Sequence, residues 1–67
     1  MPVTDAATIE LADRHIADAL RRIDEQRILI DRLDERGIGA VQADKFLGIM
    51  LEILEQMRRH RATMRPE

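Results

Sequence analysis

The stretch Arg36-Gly37-Ile38-Gly39-Ala40 decides how this chain folds, because two of its three glycines fall there between two long runs of helix-forming residues. The two prolines, Pro2 and Pro66, lie outside those runs. These breaks predict a single domain over residues 1–67, with helix 1 over about residues 5–36, a turn at 37–40 and helix 2 over about 41–64. Thr4 is the expected N-cap of helix 1, and Gly37 the C′ residue that takes positive φ. Helix 2 should begin poorly capped, since Gly39 and Ala40 stand where Ser, Thr, Asp or Asn would bind a free backbone N–H.

Outward from the turn, the apolar residues fall at intervals of three and four. Helix 1 carries Ile9, Ala12, Ile16, Ala19, Leu20, Ile23, Ile30 and Leu33, the spacing of one helical face. Gln26 and Arg27 interrupt it, either as a polar layer that rejects slipped pairings or as side chains snorkelling to the edge of the seam. Helix 2 repeats the pattern with Ala43, Phe46, Leu47, Met50, Ile53, Leu54, Met57 and Met64. Met50, Met57 and Met64 share one stripe and read as gap-filling core residues, with an adaptable partner-binding face as the alternative.

The width of these faces exceeds what one hairpin can cover. At about 100° per residue, Ile49 and Leu51 flank Met50 on either side, so the apolar arc from Phe46 to Met57 spans more than half of helix 2. Helix 1 has Leu11, Leu29 and Leu33 on a second stripe, and Ile28 points in a third direction. The expected fold is therefore all-α, an antiparallel two-helix hairpin that homodimerises into a four-helix bundle. A turn centred near residues 38 and 39 would set position i of helix 1 beside roughly 77 − i of helix 2. The acidic opening of helix 1 (Asp5, Glu10, Asp13) then lies beside the basic end of helix 2, and each charge also suits its own helix dipole. Pairs such as Glu10 with Arg14, Asp18 with Arg22 and Glu55 with Arg59 fall at i,i+4 on the outer faces.

Composition agrees. The chain has 67 residues, 36% charged and 45% apolar, with Phe46 its one aromatic residue, which suits long helices with charged outer faces. Its core is small, so oligomerisation is the expected supplement. There is no cysteine, which removes disulfides and thiolate metal sites and fits a reducing cytoplasm. Neither a signal peptide nor a membrane-spanning apolar run is visible. A net charge of −2 argues against bulk nucleic-acid binding.

Two local features carry candidate chemistry. Arg58, Arg59, His60 and Arg61, continued by Arg65, form a basic cluster able to meet phosphates of RNA or DNA, or an acidic protein. The plainer reading is a helix C-terminus that offsets its dipole and pairs with the acidic start of helix 1. His15 and His60 are the only histidines, and both are expected at the open end of the hairpin, where Asp13 or Asp18 would complete a metal site. Neither helix carries a His-x-x-x-His or Glu-x-x-His pair, so seam-edge histidines and no metal are the expectation. Thr4, Thr8 and Thr63 sit at helix ends, where capping explains them. With no nucleophile beside a base and no phosphate loop, neither enzymatic activity nor a cofactor is expected.

Ala12-Asp13-Arg14-His15-Ile16-Ala17 and Arg32-Leu33-Asp34-Glu35-Arg36-Gly37, with Leu51-Glu52 and His60-Arg61 on the second helix, resemble a group of short proteobacterial helical-hairpin proteins without an assigned activity. The resemblance covers most of the chain and departs near Gly39-Ala40, where that group would have a capping Asp-Thr. It implies the hairpin fold and a bacterial source, and no reaction. The favoured role is a small non-enzymatic interaction or regulatory protein. Its alternative resembles the plasmid-encoded RNA-binding hairpin dimers, with Arg58, Arg59, Arg61 and Arg65 on phosphates.

Overall fold

A computed structural model describes residues 3–33 and 37–66. The chain is two helices, α1 over Ala6–Arg32 and α2 over Ile38–Ala62, packed side by side in a layer with extents of 51 × 16 × 10 Å. The all-α helical hairpin read from the sequence is the fold observed.

Helix α1 begins one residue later than Thr4 would set it. Asp5 is the N-cap, in extended backbone, and its Oδ1 accepts the Thr8 backbone N–H at 2.7 Å. A carboxylate there satisfies a free donor and also meets the positive end of the helix dipole. At the other end α1 stops at Arg32 rather than near residue 36, because Leu33 turns extended (φ −89°, ψ 150°). The expectation that the helix continues through residues 34–36 lies outside the described residues. Gly37 does not take positive φ. It is the N-cap of α2 at φ −80° and ψ 152°, without a side chain to cap with, so the weak start expected for α2 is present three residues earlier than placed. At the far end of α2, Thr63 Oγ1 donates to the His60 carbonyl at 2.7 Å.

These earlier boundaries shift the register. The pairs Thr4 with Arg65, Asp13 with Arg61 and Gln26 with Ala43 total 69, 74 and 69, where a turn at residues 38 and 39 would give 77. The seam positions of α1 are Ile9, Ala12, Ile16, Ala19, Ile23, Gln26 and Ile30, with Asp18 also half-buried at the seam's edge; those of α2 are Ala40, Ala43, Leu47, Met50, Leu54, Met57 and Arg61. Both runs alternate steps of three and four, the heptad spacing of a coiled-coil seam. The seam is narrower than the sequence reading made it. Leu20, Phe46 and Ile53, placed in the main stripe by their spacing, stand outside it and are exposed. A two-helix seam admits one column per heptad step, and Ala19, Leu47 and Leu54 occupy the columns beside these three.

Candidate functional site

Two helices alone bury little. Among the described residues Ile23, Ala43 and Leu54 are the buried apolar ones, while Leu11, Leu20, Ile28, Leu29, Phe46, Ile49, Leu51 and Ile53 are exposed. Exposed apolar residues scattered singly need no explanation, but a contiguous set does. Here Leu29, Phe46, Ile49 and Ile53 form such a contiguous set on one broad side. Leu29 from α1 and Phe46, Ile49 and Ile53 from α2 flank Ala19, Met50 and Met57, and together they line an open groove of about 640 Å³. Phe46 is 53% exposed and Ile53 50%, so water covers half of each large side chain.

The groove has two unlike margins. Along α2 it is hydrocarbon. Along α1 it is ionic, with His15, Asp18, Arg22 and Glu25 leading to Leu29. Arg21, one residue outside this margin, bridges Asp18 at 3.6 Å and Glu25 at 3.5 Å. Asp18 thus pairs at i,i+3 with Arg21 rather than with Arg22 as its spacing suggested. Among the described residues no carboxylate lies within ion-pair distance of Arg22. Beneath the groove, Gln26 is half-buried and its Nε2 donates to the Ala43 carbonyl at 3.0 Å. Of the two readings offered for Gln26, this geometry matches the polar layer within the seam.

The other residues marked by spacing or charge are distributed over the hairpin. Ile16, Ile23, Ile30, Leu47, Leu54, Met50 and Met57 form the seam; Leu33 is half-buried at its turn end; Leu29, Ile49 and Leu51 flank it. Leu51 lies on the opposite side of the layer from the groove, by its place in the heptad. Of the basic cluster, Arg61 binds Asp13 at 2.7 Å across the hairpin and Arg59 binds Glu55 at 3.2 Å along α2. Arg58 and Arg65 are exposed. Half of the four-arginine set is therefore engaged with carboxylates of this chain, and Arg61 makes the pairing of basic end with acidic start that the dipoles favour. His15 and His60 are both exposed, His15 on the groove margin. No group of three or more His, Asp or Glu side chains able to hold a metal occurs among the described residues.

Asp18, Arg22 and Glu25 were not singled out as groove residues by the sequence reading. Their signal was present: with His15 and Leu29 they follow the steps of three and four that track a column immediately beside the seam. No helix among the described residues is long and apolar enough to cross a membrane. No protein-family model, no curated protein and no solved structure matches the chain.

Proposed function

We propose that this chain is a non-enzymatic, self-associating interaction module whose working unit is a pair of hairpins joined into a four-helix bundle. One observation carries the reading: a continuous apolar strip, Leu29 with Phe46, Ile49 and Ile53, lies half in water on one side of a layer only 10 Å deep. Covering such a strip gains roughly 25 cal/mol per Å² of apolar surface, and among the described residues the two helices leave it uncovered. A second layer is the general solution. Cysteine-free sequence suits a reducing compartment such as the cytoplasm.

Light scattering across a concentration series tests the reading. The expected result at micromolar concentration is twice the 7.8 kDa chain mass, with high helix content by circular dichroism. A helical monomer persisting to millimolar concentration would overturn it.

A further inference from the structure

The groove face is self-complementary in only one of its two face-to-face arrangements, and that selects how two copies meet. The outline of the whole layer, 51 × 16 Å, is of the order of the roughly 800 Å² that one partner contributes to a standard-sized interface, so the face is large enough for a second copy. Across the hairpin, the α2 segment around Ile49 lies level with the α1 segment around Arg22, given the Gln26 to Ala43 and Asp13 to Arg61 contacts. A two-fold axis running along the layer would lay α1 of one copy over α2 of the other. That would press Asp18 and Arg22 onto Ile53 and Ile49, removing charges from water with only hydrocarbon in return. A two-fold axis running across the layer lays like on like.

We propose that a second copy of this chain docks on the groove face about an axis across the layer at the height of Ile49, with α2 antiparallel on α2 and α1 antiparallel on α1. This rests on the self-association reading and gives it a geometry. Phe46 of each copy then meets Ile53 of the other, and Ile49 meets its own mate beside the axis. On α1 the same axis falls near Arg22, so the two Arg22 come side by side at the axis, each flanked by Asp18 and Glu25 of the second copy, whose carboxylates offset the like-charge pair. Arg22 is the groove cation without a carboxylate partner among the described residues, whereas Asp18 and Glu25 share Arg21 and keep acceptor sites free. Apolar strip on apolar strip, with an alternating ionic strip beside it, excludes water and fixes register together.

The chain has no cysteine, so single introduced cysteines report contacts without interference. Under mild oxidation, Ile49→Cys should form a disulfide-linked pair at least tenfold faster than Leu51→Cys, which lies on the other side of the layer. The double variant F46C/I53C should link through both positions, and its two cysteines are roughly 10 Å apart along one helix, too far to bond within a chain. Faster linking of Leu51→Cys at a dimeric mass would overturn the choice of face. Slow linking of Ile49→Cys alone, with rapid linking when it is mixed with Arg22→Cys, would overturn the axis across the layer. A monomeric mass for the unmodified chain would instead overturn the self-association reading itself.

Discussion

The open end of the hairpin and its middle solve the same packing problem with different forces. At the open end, Asp5 caps Thr8, the Thr4 N–H donates to the Arg65 carbonyl at 2.7 Å, and Arg61 grips Asp13 at 2.7 Å. In the middle, the Gln26 to Ala43 hydrogen bond is the polar tie, and the exposed chemistry is Phe46, Ile49 and Ile53. Directed polar bonds are complete once two partners meet, so the open end is finished within one chain. Apolar gain is non-directional and accrues only as water is excluded, and the middle has water over half its strip. Interaction is therefore to be sought at the centre of the layer, since at the basic end Arg59 and Arg61 are already engaged with Glu55 and Asp13 of the same chain.

The sharpest way to break this contrast is to damage the two apolar sets separately. Leu54→Ala removes a seam side chain that is 6% exposed, and should cost roughly 2–4 kcal/mol. In a domain of this size that is most of the stability, so helix content at 25 °C should fall and the urea midpoint should collapse. Phe46→Asp should act differently. It places a charge on the groove strip and should weaken association by at least about 100-fold, or roughly 3 kcal/mol, with the hairpin helical at concentrations where its mass has halved. If both variants lose helix in parallel, the hairpin has no existence apart from its pair, and seam and groove are one cooperative core.

How much of this was readable in advance depends on which physical quantity decided each point. The hairpin and the excess of apolar surface follow from spacing and the Gly37-Ile38-Gly39 break, and they are what the structure shows. The column assignment did not follow, because Ala19 and Leu20, or Ile53 and Leu54, are neighbours about 100° apart and a helix period cannot choose between them. Only the facing helix chooses, and its register hung on the turn. Gly37 is ambiguous for a related reason: glycine ends helices and begins them, and the sequence does not say on which side of it the reversal lies. Gln26 shows the same dependence, since its role turns on whether a carbonyl of the other helix comes within reach.

A smaller test uses the side of α2 away from the groove. Gly48 lies inside the helix, and a Cβ added there would meet nothing within 4 Å. Gly48→Ala should therefore stabilise by roughly 0.5–1 kcal/mol, read as a higher thermal midpoint, by removing backbone freedom from the unfolded chain. Its sharper use is the mass. Should two copies meet through the groove, Gly48→Ala leaves the dimer mass and dissociation constant unchanged. Weakened association would mean that a second copy approaches the Gly48 side.

The smallest expected effect belongs to the open end and concerns pH. The Thr8 backbone N–H, donated to Asp5, holds the Asp5 carboxyl below its ordinary value of 3.8, with the Thr8 side chain adding to the effect. A carboxyl whose folded value is depressed contributes stability that is present above its unfolded value and is lost as pH falls through the folded one. The cap should thus be intact at neutral pH and loosen only below about pH 4. Since the chain has 13 acidic residues, a single acid titration mixes many groups, and the informative quantity is a difference. Asp5→Asn keeps a capping oxygen that does not titrate, so the Thr8 amide resonance should stay near its neutral-pH position in that variant while it moves in the parent. Asp5→Ala has no capping oxygen at any pH and should show faster Thr8 amide exchange throughout, with the Arg61 to Asp13 tie and the groove untouched. An Asp5→Asn chain whose Thr8 amide titrates like the parent's would show that the end is governed by another carboxylate, and the two ends of the contrast would then have to be redrawn around Asp13.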